Sequence, residues 1–250
     1  MTNKLPHDDI TPFNENKESK KKQVAKMFDN IAKRYDFLNH FLSLGIDVSW
    51  RKKAINYFRK DNPKHLLDVA CGTGDMSILA CKILKPQKIT GIDISEQMLI
   101  IGRKKVEKEG FTNKIDLHLG DSEAINFPDN SFDGIMVAFG VRNFEDLEKG
   151  LQEMLRVLKP GAQLIVLEFS KPTNPMFSRL YDFYMGTVAP QLAHWFSKNK
   201  KAYKYLNESA KAFPDRRAFM KVFNATGFSE TNYKSLSLGI CCIYSGRKIQ

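Results

Sequence analysis

The segment Leu66-Leu67-Asp68-Val69-Ala70-Cys71-Gly72-Thr73-Gly74-Asp75 constrains this chain more than any other part. Its apolar start reads as a buried strand. It stops at a glycine turn and passes into a helix. A second strand-like run, Lys88-Ile89-Thr90-Gly91-Ile92-Asp93, ends in a carboxylate nineteen positions after Gly74. Glycines let backbone approach a ligand closely, and an acidic residue about 20 positions further on can hold two ribose hydroxyls. Together they point to a site for a nucleoside cofactor.

The residues around the turn bear on which nucleoside. A dinucleotide site sets a pyrophosphate against helix-terminal amides and adds a third glycine for close helix–strand packing. Here that third position is Ser77, and Asp75 in the first helical turn would repel a pyrophosphate. S-adenosylmethionine carries a sulfonium and an amino group and no phosphate, so Asp68 and Asp75 suit its charge. An ordinary N-cap explains Asp75 equally well.

Strand and helix signals alternate downstream. Ile115 to Leu119 is a short strand, followed by Gly120-Asp121-Ser122-Glu123. Phe132 to Phe139 is a fourth strand, a helix is expected from about Phe144 to Leu158, and Lys159-Pro160-Gly161 forms a turn. A fifth strand runs from Gln163 to Phe169. Such alternation predicts a parallel, doubly wound α/β sheet, with ligands at the carboxyl ends of its strands. Asp68, Gly72, Asp93, Asp121 and Phe139 all fall at such ends. The order of elements resembles the class I S-adenosylmethionine-dependent methyltransferase fold, Rossmann-like in its winding. That resemblance implies that Gly72 and Thr73 approach the methionine part, Asp93 binds the ribose, and Asp121 with Ser122 contacts the adenine.

A chain of 250 residues suffices for one such domain. Residues 1–22 are polar and are read as a disordered lead-in. Residues 23–60 supply N-terminal helices, 61–170 the cofactor-binding core, 171–213 an insertion over the strand ends, and 214–250 a C-terminal helix and strands. Val24, Met27, Phe28, Ile31, Tyr35, Leu38 and Leu42 follow a helical period, and a second helix starts near Asp47. The insertion holds Phe177, Tyr181, Phe183, Tyr184, Trp195, Phe196, Tyr203, Tyr205 and Phe213, interleaved with lysines. These aromatics read as a lid over an apolar substrate, although stacking on bases or plain helix packing uses the same residues.

The net charge is +11, yet residues 61–170 sum to −4. The excess therefore lies in the flanks, where it favours an acidic partner or simply a solvated lysine-rich surface. No apolar run approaches the roughly 20 residues of a membrane span, and no signal peptide is evident. Cys71, Cys81, Cys241 and Cys242 lack metal-ligand spacing, so no metal is expected, and reduced thiols point to the cytoplasm.

Longer motifs carry a narrower resemblance. The segment Tyr35-Asp36-Phe37-Leu38-Asn39-His40-Phe41-Leu42-Ser43-Leu44-Gly45-Ile46-Asp47-Val48-Ser49-Trp50 resembles the first signature of the menaquinone/ubiquinone-biosynthesis C-methyltransferase family. Arg156 to Ser170 resembles its second signature, and Phe139-Gly140-Val141-Arg142-Asn143 a further family segment. Three departures stand out: Asp47 replaces a frequent histidine, Ala162 a usual glycine, and Ala138 a serine that touches cofactor in some members. The resemblance implies methyl transfer from S-adenosylmethionine to a ring carbon of a polyprenyl quinol, a naphthoquinol by preference and a benzoquinol as the alternative. It gives Arg142 the role of stabilising an ionised quinol hydroxyl and Asn143 that of orienting it. An ion pair of Arg142 with Glu145 or Asp146 is the ordinary alternative. Tyr35 and Asp47 are weaker candidates for the quinol head. An insoluble isoprenoid tail implies peripheral contact with an anionic membrane surface. A nucleic-acid substrate is not expected, because no Asn-Pro-Pro-Tyr-like motif follows the fourth strand. The oligomeric state is left open.

Overall fold

The computed structural model describes residues 5–13, 18–43, 45–172, 174–176, 179 and 200–250. Helices α1 (Lys20–Leu42) and α2 (Ile46–Ile55) precede strand β1 (His65–Val69). Then α3 (Asp75–Leu84), β2 (Lys88–Asp93), α4 (Glu96–Lys108), β3 (Ile115–Leu119), β4 (Phe132–Ala138), α5 (Leu147–Val157) and β5 (Leu158–Phe169) follow in alternation. Helices α6 (Lys200–Ala212) and α7 (Arg217–Ala225) and strands β6 (Ser229–Leu236) and β7 (Cys241–Arg247) complete the described chain.

The strands form one sheet in the order β3-β2-β1-β4-β5-β7-β6. The five strands β1 to β5 run parallel, and β7 inserts antiparallel between β5 and β6. The apolar runs make this arrangement by alternating between two covered faces. Leu67, Val69, Ile135, Val137, Leu164 and Val166 pack beneath α5 and α7. Leu66, Met136, Ile165 and Leu167 point the other way, towards α2, α3 and α4. Chain order reverses between β1 and β4, which opens the crevice at their carboxyl ends. Helix α1 lies across the outside of α4 and carries a third cluster, in which Val24, Met27 and Ile31 meet Met98 and Tyr205.

Three local expectations differ from the structure. The Lys159-Pro160-Gly161 turn is absorbed into β5 as a bulge: Phe132 pairs with Leu158, but Gly134 pairs with Gln163. Helix α5 starts three residues later than expected, at Leu147, because the Asp146 side chain caps it by accepting from the Lys149 amide at 3.0 Å. Val141–Asn143 forms a separate 3-10 turn. In the lead-in, part of the described chain is packed, with His7, Pro12 and Lys20 buried and Pro6, Asp9 and Ser19 exposed. His7 is fully buried, the Asp8 carboxylate accepts from the Leu5 amide at 2.7 Å, and α1 already begins at Lys20. Hydrogen bonds within the Leu5–Asp8 turn and from the Phe13 amide to Gln23 Oε1 (2.9 Å) supply what its low apolar content does not. Of the aromatics expected in the insertion, Phe177, Tyr181, Phe183, Tyr184, Trp195 and Phe196 lie outside the described residues, as does the side chain of Tyr203.

Candidate active site

A cavity of about 650 Å³, counting its open mouth, fills the crevice where the strand order reverses. Its floor is the set of strand ends: Ala70 and Gly72 after β1, Asp93 at the end of β2, Asp121 and Ser122 after β3, and Phe139, Gly140 and Asn143 after β4. Its roof is α1, through Lys21, Val24, Phe28 and Tyr35. Two floor residues other than glycine hold left-handed backbone, Ala70 at φ 54° and Phe139 at φ 59°. Such conformations cost on the order of 1–3 kcal/mol each and persist where the surroundings enforce them. At Gly140 a side chain would meet Ala70 Cβ at 2.6 Å, so the two loops touch and only glycine fits between them.

Asp93 sits where β2 ends. It accepts from the Gly72 amide at 2.8 Å and the Ser95 amide at 2.9 Å. Burial pushes its carboxyl up to about 6, against the pull of those two amides. Each of its oxygens keeps a lone pair after those bonds, enough for the two hydroxyls of a ribose. Gly72 has φ 54° and nothing within 4 Å of where a side chain would begin, so it leaves the cradle beside Asp93 clear. Asp121 lines the cavity, as does Ser122. The Asp121 carboxylate and that of Glu123 both hold Lys21 Nζ, at 2.6 and 2.8 Å.

Thr73 does not line the cavity. It is buried, and its hydroxyl donates to Asp36 Oδ1 at 2.5 Å. Lys105 Nζ reaches Asp36 at 2.9 Å and also contacts Asp75. Asp75 is therefore not the helix cap: Gly74 occupies the cap position of α3. Asp68 lies below the floor. The Ser77 hydroxyl donates to one oxygen at 2.5 Å, the other oxygen has no partner, and burial pushes the group up to about 7.

Behind the other end of the floor is a buried ion pair. Arg142 Nη1 donates to Glu168 Oε1 at 2.6 Å and to the Phe139 carbonyl at 2.7 Å. The two side chains are 4% and 0% exposed, and the guanidinium lies over the Phe169 ring at 5.2 Å. Burial opposes the Arg142 charge, yet the Glu168 carboxylate outweighs it and holds the guanidinium above its ordinary value. Arg142 thus pairs with neither Glu145 nor Asp146; Glu145 accepts from the Lys20 amide and Asp146 caps α5. Arg142 itself does not line the cavity, while its neighbour Asn143 does. Asp47 is buried in contact with Arg51, His40 and Ser43, away from the cavity lining.

The sequence singled out Asp93, Asp121, Ser122, Gly72 and Asn143, and these five share one cavity. It missed Glu168 as the partner of Arg142 and missed the latches from α1. The only hint of Glu168 was a charged residue at the end of a buried strand. Among the described residues there is no group of three His, Cys, Asp or Glu side chains able to hold a metal, and no helix long and apolar enough to cross a membrane.

A seven-stranded sheet with this order, and a nucleoside-sized cradle at the carboxyl ends of its parallel strands, defines a class I S-adenosylmethionine-dependent methyltransferase. Solved structures agree on the fold. A methyltransferase of Thermotoga maritima, described as a possible histamine N-methyltransferase, superposes with a TM-score of 0.63 at 19% identity, covering 90% of this chain and 99% of its own. The [4+2]-cyclase SpnF gives 0.61 at 17% identity, covering 92% and 97%. The chain belongs to the ubiE/COQ5 methyltransferase family, whose model matches residues 16–248. It is 47% identical over 243 residues to the demethylmenaquinone methyltransferase of Bacteroides fragilis, covering 97% of this chain and 99% of that one. It is 42% identical over 230 residues to the ubiquinone/menaquinone biosynthesis C-methyltransferase UbiE of Geobacter sulfurreducens, covering 92% and 90%.

Proposed function

We propose that this enzyme methylates a ring carbon of demethylmenaquinol with S-adenosylmethionine. One observation carries the reading: a single cavity joins a carboxylate suited to a ribose diol, Asp93, to Asn143, and the buried Arg142–Glu168 pair lies directly behind that Asn143 end. The match over nearly the whole chain to the Bacteroides fragilis enzyme supports the naphthoquinol in particular. When bound, the cofactor supplies an electrophilic methyl group on sulfonium.

The remaining demands fall on the protein. A neutral quinol ring carbon is a weak nucleophile, and ionising an adjacent hydroxyl raises its electron density. Arg142 is held charged and desolvated beside Glu168, so its field favours an oxyanion at the Asn143 end of the cavity. Asp93 and the Gly72 backbone orient the donor, with Asp121 and Ser122 towards its base and Thr73 holding the turn through Asp36. Arg142 and Asn143 would hold the ring oxygen while the bound donor would pass its methyl to the ring carbon, leaving as the neutral thioether with the bonding pair on sulfur, and the ring proton would leave afterwards. Positioning the reacting atoms within roughly 3–3.5 Å is the main geometric task.

The test is transfer of labelled methyl from the donor to demethylmenaquinol, to a benzoquinol precursor, and to RNA. Label in demethylmenaquinol is the expected result. Label only in the benzoquinol would replace the substrate, and label only in RNA would overturn the reading.

The excess positive charge outside residues 61–170 supports brief contact with an anionic bilayer, where a polyprenyl substrate resides. The enzyme is expected to sediment with anionic vesicles at low salt and to be released at high salt. Absence of binding at low salt would remove the membrane contact from the proposal. The aromatic insertion, residues 171–213, is proposed to cover the quinol.

A further inference from the structure

Three polar atoms around the 3-10 turn after β4 are buried and lack hydrogen-bond partners: Arg142 Nε, Asn143 Oδ1 and the Tyr205 hydroxyl. Two belong to the turn itself. The third comes from α6, which packs against that turn from a point some sixty residues later in the chain. Tyr205 is 1% exposed and wedged against Val24, Met27 and Ile31 of α1, the helix that roofs the cavity. Arg142 and Glu168 both act on it electrostatically, so its ring lies within the field of the ion pair. Packing alone calls for phenylalanine at such a position. A hydroxyl buried without a partner costs about 1–3 kcal/mol, and such groups mark an absent ligand or water.

The three atoms have complementary chemistry. Arg142 Nε donates, Asn143 Oδ1 accepts, and a phenol hydroxyl does either. Two donors beside one acceptor match an aryl oxide whose ring carries a second, un-ionised hydroxyl. We propose that the Tyr205 hydroxyl, which like Arg142 lies behind the cavity lining, is a further group serving the substrate, donating its hydrogen bond towards the ionised quinol oxygen alongside Arg142 through one ordered water. The inference rests on the quinol reading above and assigns its oxyanion a third partner, from the C-terminal half of the chain. No proton leaves Tyr205 in this role. Burial pushes its pKa well above the ordinary phenol value and keeps it a donor.

The experiment compares wild type with Tyr205→Phe, which keeps the ring and loses only the hydroxyl. With saturating donor and demethylmenaquinol, kcat is expected to fall about 10- to 100-fold, less than the roughly 100- to 1,000-fold of a lost oxyanion-hole donor because Arg142 remains. The acid limb of its pH profile should move upward by about one unit. Affinity for S-adenosylhomocysteine should stay within error and the melting temperature of the ligand-free protein should hold or rise, because the variant loses an unpartnered buried hydroxyl; a packing role predicts a fall. A second readout needs no methyl transfer. The ionisation of bound 4-nitro-1-naphthol, followed by absorbance, should shift downward on wild type and by about one unit less on the variant. The proposal is overturned if wild type leaves the naphthol's ionisation unchanged, if Tyr205→Phe shifts it as far as wild type does, or if kcat and its pH profile do not move. Absent label transfer to any quinol, with the naphthol shift intact, would defeat the quinol reading and leave the Tyr205 contact standing.

Discussion

At the scale of single residues, Asp93 bears the most chemistry. Its carboxyl sits at about 6 because burial outweighs the two amides that hold its charge. A ribose diol donates two strong hydrogen bonds to the ionised form and fewer, weaker ones to the protonated form. Lowering the pH through 6 therefore protonates the empty site and weakens cofactor binding, while raising the pH above 6 leaves affinity flat. Calorimetric titration with S-adenosylhomocysteine should show an apparent Kd that rises towards tenfold per unit below pH 6, since one unit corresponds to about 1.4 kcal/mol. Asp93→Asn should bind about 10- to 100-fold more weakly and lose that dependence between pH 5 and 7.5. A variant that keeps wild-type affinity would show that the diol is held elsewhere. The sequence alone placed Asp93 correctly at a strand end, because a carboxylate closing an apolar run is conspicuous. It could not reveal that Gly72 and Ser95 already occupy part of that carboxylate.

At the scale of elements, α1 is the part that converts a sheet edge into an enclosed site. Charged side chains of α1 latch onto the core. Lys21 holds Asp121 and Glu123, Asp29 accepts from the Ser95 hydroxyl at 2.6 Å, and Asp36 accepts from Thr73 and Lys105. Positions 21, 29 and 36 are about two helical turns apart, so they lie along one face. The same helix presents Val24, Phe28 and Tyr35 to the cavity. A cofactor sealed beneath α1 leaves only as fast as these latches open. Removing two of them, as in Asp29→Ala with Asp36→Ala, should raise the dissociation rate of S-adenosylhomocysteine about 10-fold or more. Amide exchange in α1 should accelerate while β1 and β4 stay protected. Unchanged dissociation with faster exchange would mean that the ligand leaves by another route. The apolar period of α1 was legible, because Val24, Met27 and Ile31 recur with helical spacing. The latches were not, because Asp29 and Asp36 look like ordinary solvated helix residues until partners up to 69 positions away are known. The bulge at Lys159–Ala162 was hidden for a related reason. Lys-Pro-Gly is turn chemistry, and only the pairing with β4 shows that the strand continues through it.

Across the whole molecule, the N-terminal segment folds back onto the C-terminal half, and His7 is the contact most sensitive to conditions. Its ring is fully buried and meets Phe213 edge-on at 5.3 Å. Neither ring nitrogen has a hydrogen-bond partner, and the nearest carboxylate, Asp8, comes within 3.4 Å of Nε2. Burial, helped by the nearby Lys20 charge, pushes it down to about 3. Lys20, whose ammonium donates to the His7 carbonyl at 2.8 Å, is pushed down to about 8 by the same burial. The sign follows from linkage. The unfolded chain binds a proton at His7 below about 6.5 and the folded chain does not, so the stability His7 contributes is complete above 6.5 and falls as pH drops towards 3. Asp68 and Asp93 act in the opposite direction, because their raised values make the folded state the better proton binder between about 4 and 6–7. The net curve is therefore shallow, and the His7 contribution emerges only by difference. His7→Gln keeps a neutral polar side chain and removes the titration. Urea midpoints at pH 7 and pH 5 should show the wild-type advantage over His7→Gln shrinking by about 2 kcal/mol at the lower pH, at about 1.4 kcal/mol per unit. An advantage that does not change with pH would mean that His7 takes up its proton without leaving its pocket. If residues 5–13 instead open locally before the rest, amide exchange confined to that segment should speed up below pH 6.5. The loss would then stop at the cost of opening that segment, and the Lys20–Glu145 contact that anchors the start of α1 would loosen with it.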